Sequence, residues 1–273
     1  ETRRGRAGSA RTVGIAHPSA RIGTLNVDSS VFQLYQKGVP WIGSKSSSGS
    51  MLQVQQEAYE KKSVEVTALS LASGASLLFQ LDDEAPTVDA KPFLAVSGTM
   101  TVRAGSANAT LMGITPNDPL DPTKPMSVKS GVRQLLTIDA LALETGAGLE
   151  LSLYQPDPDK LEATPVLYNP VAGWQGRISI TNLNAGQSSL YLGGNTVLQL
   201  TRGLFSGGFH SGTDLYTVEK VGAATDILTL AGVSDFQGTT VKVLGGTWLA
   251  SSAGGLGAAS ATNVYELGTT AAT

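Results

Sequence analysis

Residues 174–200 read WQGRISITNLNAGQSSLYLGGNTVLQL, short apolar runs separated by glycine turns, and this grammar restricts the chain to a fold of many short strands. Ile178, Ile180 and Leu183 fall close to alternation with Ser179, Thr181 and Asn182, the period of a strand with one wet face. Residues 184–187 supply turn formers. Leu190, Tyr191 and Leu192 restart the apolar run, and Gly193, Gly194 and Asn195 end it with residues that tolerate positive φ. The stretch predicts a hairpin with a follow-on strand.

The same grammar runs back to Ser63, through VEVTALSLA, LLF, FLAVSGTMTVR, ATLMGI, LLTIDALAL and LELSLYQ. Residues 115–125, TPNDPLDPTKP, carry four prolines and two aspartates and predict a loop. Six or seven short strands at near-regular spacing, with almost no helical periodicity, predict an antiparallel sandwich or jelly roll over residues 51–160. Within it, MLQVQQEAYEKK fits either a short helix or the lead-in to a strand. Residues 155–170 hold Pro156, Pro158, Pro165 and Pro170 and read as an inter-domain connection. A second set of strand candidates follows, including DILTLAGV and TTVKVLGGTWLA, before the small-residue tract SSAGGLGAASA. The expected fold is therefore all-β: an extended arm and serine-rich linker over residues 1–50, and two antiparallel β-sandwich domains over 51–160 and 161–273.

Residues 2–27 contain Arg3, Arg4, Arg6, Arg11 and Arg21 and no acid. Such a segment buries too little apolar area to order itself, so it is expected to lie extended against a partner. Phe32, Leu34, Tyr35, Trp41 and Ile42 follow and would hold it there, because apolar burial is not screened by salt. These ten residues are the expected partner-binding set. Nucleic acid is disfavoured as the partner, since the whole chain carries a net charge of −3.

The chain has no cysteine, which excludes disulfides, zinc–cysteine sites and thiol nucleophiles. No apolar run reaches the ~20 residues of a membrane span, and no membrane association is expected. Charged residues make up 15% of the chain, below the roughly 25% of an average soluble protein, so neighbouring subunits are expected to cover part of the surface. A homo-oligomer is expected on that ground. Ser211, His210 and Asp214 could be drawn as a triad, but adjacent turn residues rarely meet its geometry, and no G-x-S-x-G elbow occurs. The acids at 82–84, 118 and 121, and 157 and 159 read as solvated turn residues, with Ca²⁺ binding or glycosidase work as the rival readings. No Walker or dinucleotide fingerprint is present. No catalytic residue, metal or cofactor is expected. Trp41, Trp174 and Trp248 carry the alternative function, a carbohydrate-binding module of a tail or secreted surface protein.

Residues 180–221, ITNLNAGQSSLYLGGNTVLQLTRGLFSGGFHSGTDLYTVEKV, resemble a small β-sandwich of bacteriophage virion proteins. The matching positions are Ile180 and Asn182, residues 190–194, Gly203, Leu204 and Gly207, and residues 214–218; the glycines and His210 in 206–212 depart from the pattern. The resemblance implies a structural role in a virion, as a capsid decoration (cement) subunit, a head fibre, or a tail or neck component, with other virion proteins as partners and a trimer as the homo-oligomer.

Overall fold

The computed structural model describes residues 13–15, 21–27, 32–34, 51–55, 63–80, 91–114, 117–118, 121–125, 131–151, 174–211, 216–236, 239–252, 254–255 and 264–268. These residues are all strand, turn or irregular. In chain order the strands are β1 (Val13–Ile15), β2 (Arg21–Val27), β3 (Phe32–Leu34), β4 (Met51–Gln55), β5 (Val64–Leu71), β6 (Ser76–Gln80) and β7 (Leu94–Val102). There follow β8 (Ala109–Ile114), β9 (Asn117–Asp118), β10 (Asp121–Pro125), β11 (Gly131–Leu143), β12 (Gly148–Leu151), β13 (Trp174–Ala185) and β14 (Ser189–Leu192). The last seven are β15 (Thr196–Phe205), β16 (Gly208–Ser211), β17 (Thr217–Lys220), β18 (Ile227–Leu230), β19 (Thr240–Val243), β20 (Thr247–Ala250) and β21 (Val264–Leu267).

The all-strand expectation holds, but the antiparallel sandwiches do not. An 11-stranded sheet runs β2-β5-β7-β11-β13-β15-β17-β19-β21, with β18 and β20 joined beside β15, and an 8-stranded sheet runs β1-β3-β4-β6-β8-β12-β14-β16. Every pairing in both is parallel. Parallel neighbours cannot be joined by a tight turn; the chain must leave the sheet and return to the same end. From β5 to β16 each return passes through the other sheet, so the chain winds as a parallel β-coil, one turn stacked on the next. The stretch 174–200 is thus not a hairpin: β13 and β14 lie in different sheets, and the partner of β13 is β15. The strand alternative holds for the start of residues 51–62. Residues 115–125, expected as a loop, contain the small antiparallel pair β9–β10, with Asp118 opposite Asp121.

Stacked coils place equivalent side chains in rows. On the large sheet, Val66, Val96, Ile138, Ile180 and Leu200 occupy one inward row and are all buried. Leu77, Leu111, Leu151 and Leu192 form a facing row on the other sheet, and both belong to one apolar core. Each fully buried Leu, Ile or Val contributes roughly 1.5–3 kcal/mol. The rows, more than strand propensity, therefore set the register.

The two corners differ in length. From the large sheet to the smaller one the connections are short, 72–75, 103–108, 144–147, 186–188 and 206–207. Gly74 (φ 73) and Gly146 (φ 80) make two of these turns in a conformation that side-chain-bearing residues disfavour. The return connections at 81–93, 115–130 and 152–173 are long, and only at 193–195 does the chain return within three residues. β11 and β13, which flank residues 155–170, are direct neighbours in the large sheet.

Candidate interaction surface

The outward rows are where side chains meet solvent. One runs in unbroken register from Glu65 through Ala95, Thr137, Ser179, Gln199, Glu219 and Lys242 to Glu266, and Arg21 of β2 is level with Glu65. Its middle is a hydrogen-bonded ladder. Gln134 Nε2 donates to Ser179 Oγ at 3.1 Å, Ser179 Oγ donates to Gln199 Oε1 at 3.0 Å, and Gln199 Nε2 donates to Glu219 Oε2 at 3.2 Å. Arg177 Nη2 lies 3.5 Å from the same Glu219 oxygen, and Lys242 Nζ lies 3.4 Å from Glu266 Oε2. The ladder is half-buried, and of the ion pairs the more exposed Lys242–Glu266 stabilises by only about 0–1 kcal/mol. These contacts align the coils, because each hydrogen bond of the ladder links one turn of the winding to the next and the Arg177–Glu219 pair reaches across two.

A second ladder follows the corner of β15. Asn182 Nδ2 donates to the Asp139 carbonyl at 3.1 Å, Arg202 Nε donates to Asn182 Oδ1 at 2.6 Å, and Arg202 Nη1 lies 3.6 Å from Asp226 Oδ1. The other Asp226 oxygen accepts the Ala223 N–H at 2.7 Å. On the smaller sheet the row is Glu150, Tyr191 and His210. The Tyr191 and His210 rings lie 5.1 Å apart at 30°, and His210 Nδ1 is 2.9 Å from Asp235 Oδ1. The rings face each other along the stacking direction, so they cover one another's faces instead of offering a flat platform.

Lys220 holds an inward position although it is charged. Its register neighbours are Leu200 and Val243, and it is fully buried. Its Nζ donates to the Val221 carbonyl and, at 3.1 Å, to the Gly245 carbonyl, so one ammonium serves the corners of two successive coils. Gly246 (φ 73) leaves room for it, since a Cβ there would stand 2.2 Å from Nζ. Burial lowers the Lys220 pKa below its ordinary 10.5, while the Asp226 carboxylate pulls the other way. A neutral amine still has two N–H groups for the two carbonyls, so losing the proton need not break either bond. Between the lowered folded value and 10.5 the unfolded chain holds a proton that the folded chain has released, so this group's contribution to stability rises with pH there. Relative to Lys220→Met, the wild-type chain is expected to gain stability as pH is raised through that window, as read by urea melts at successive pH values. A difference that stays flat or falls would contradict it.

Of the residues expected to bind a partner, Arg21 lies in β2, level with Glu65 of β5, and Phe32 and Leu34 lie in β3, level with Leu52 and Val54 of β4. Arg3, Arg4, Arg6, Arg11, Tyr35, Trp41 and Ile42 are outside the described residues. The carboxylate beside His210 is Asp235; Asp214 is outside the described residues. The acids at 82–84, 157 and 159 are also outside them. Among the described residues no group of three or more His, Asp or Glu could hold a metal ion. The tryptophans form no described platform: Trp248 packs against the core, Trp174 opens β13, and Trp41 lies outside.

The ladder residues went unnoticed in the sequence, although Ser179, Gln199 and Glu219 recur at intervals of 20 residues. That interval was their signal. No protein family, no curated protein and no solved structure matches the chain.

Proposed function

We propose that the chain is a structural, non-catalytic component of a large assembly, a capsid-associated subunit of a virion surface, and that its coil acts as a stiff spacer. The observation that supports this reading is the outward ladder from Gln134 to Glu219, whose polar groups bond to one another along the coil instead of converging on a pocket. Nine register positions about 4.8 Å apart make a wall roughly 40 Å long, neutral from Ala95 to Gln199 and charged toward both ends. The coil replaces the sandwich that the resemblance to phage virion proteins implied. The basic segment at the start of the chain supplies the charge for attachment to an acidic surface.

Immunogold electron microscopy with antibodies against the chain tests the setting. Label is expected on particles in the source material. Label confined to soluble fractions without particles would overturn the virion reading. Replacing Arg3, Arg4, Arg6 and Arg11 by Gln is expected to slow attachment several-fold at low salt and to change the dissociation rate little. Surface plasmon resonance on immobilised particles separates the two rates.

A further inference from the structure

The large sheet starts at β2 and forks at β15 into branches that end at β21 and at β20; among the described residues β2 and β21 each have a neighbour on one side only. We propose that these two edges join copies of the chain head to tail, β21 of one copy pairing in parallel with β2 of the next. An unpaired strand edge presents a row of free N–H and C=O groups, which another strand can complete. Because all strands of the sheet run in one direction, the two edges match without turning a molecule over. The contact is heterologous and does not close on itself.

The register places complementary residues at the junction. Arg21 of β2 holds the register position beside Glu65, where the outward row starts, and the row ends at Glu266, beside Lys242. Continued across the junction it reads Lys242, Glu266, Arg21, Glu65, with the sign of charge alternating at each step. Pairing two β21 edges would bring acid toward acid, and pairing two β2 edges would bring base toward base. The next inward row runs from Val66 through Leu200, Lys220 and Val243 to Leu267, and Ile22 of β2 holds the register position beside Val66. Leu267 is 78% exposed, whereas Val66 and Leu200 in that row are fully buried. A β2 strand on β21 would set Ile22 over Leu267 and continue the row. The inference does not rest on the virion reading and would hold for a rod in any setting.

Sedimentation velocity and negative-stain microscopy of the full chain over a range of concentrations provide the test. The wild-type chain is expected to form linear oligomers that shorten as salt is raised. Arg21→Glu alone and Glu266→Arg alone are each expected to weaken association roughly 5- to 30-fold, since an exposed attraction becomes a repulsion. An equimolar mixture of the two variants restores opposite charges at every mixed junction and should assemble as the wild type does. This rescue separates the junction from misfolding, because neither variant is repaired internally by the other. A chain that remains monomeric at every concentration, or assemblies indifferent to both substitutions, would overturn the proposal.

Discussion

Replacing Phe209 by alanine is expected to cost about 3–5 kcal/mol, the range for removing a buried aromatic ring from a core that cannot collapse around the gap. Phe209 is buried in β16 between two other rings, Phe205 at a centroid distance of 5.0 Å and Phe236 at 6.5 Å, both edge-on. Its row neighbour in the preceding coil is Leu190. The surroundings are fixed by the β14–β16 ladder on one side and, on the other, by the Asp235 N–H donating to the Phe209 carbonyl at 3.0 Å and the Phe209 N–H donating to Ser234 Oγ at 3.2 Å, so they should relax little. Set against the 5–15 kcal/mol of an ordinary domain, the loss is large. It should also be local, because each coil touches only its neighbours. Hydrogen exchange in dilute urea is expected to show early loss of protection in β15 to β18, while β5 and β7 keep theirs. Phe209→Leu, which retains most of the volume, should cost under about 1.5 kcal/mol. Equal loss of protection in every coil would show that the winding unfolds as one unit.

The strands were legible in the sequence and their partners were not. Alternation in β5, with Val64, Val66, Leu69 and Leu71 buried and Glu65 and Thr67 exposed, reports one wet face and one dry face. An antiparallel sandwich and a parallel coil both meet that condition, so period two cannot separate them. What separates them is the long-range interval. Ile178, Leu198 and Val218 recur every 20 residues, but Leu94, Leu136 and Ile178 recur every 42, because the long return connections are inserted between them. Unequal insertions hide a repeat that equal ones would have revealed. Prolines in 115–125 removed backbone donors and suggested a loop, yet β9 and β10 pair there through only a few positions. Lys220 was equally hidden, since a lysine in VEK reads as a surface residue until its row shows that it lies inside.

Gly203→Ala is expected to cost about 2–6 kcal/mol, more than a glycine in an open turn would, and the comparison with Gly146 isolates the reason. β15 serves two faces of the coil: Val197 to Leu200 pair with β17, and Gly203 to Phe205 pair with β18. Gly203 stands where the strand turns from one face to the other, at φ 137, a conformation that an L side chain rarely adopts. A Cβ there would also lie 2.0 Å from the Leu183 carbonyl oxygen and 2.8 Å from the Leu183 nitrogen. Those atoms belong to the strand beneath and cannot move aside without breaking the β13–β15 ladder, so the substitution combines backbone strain with overpacking. Gly146 has φ 80 but nothing within 4 Å of its Cβ position. Gly146→Ala should therefore show the conformational cost alone, about 1–2 kcal/mol. Denaturation midpoints of the two variants at matched slopes decide the matter. Equal losses would mean that the corner of β15 is pliable and that its glycine is required for conformation only; a much larger loss at Gly203 would mean that the close approach of successive coils sets the requirement.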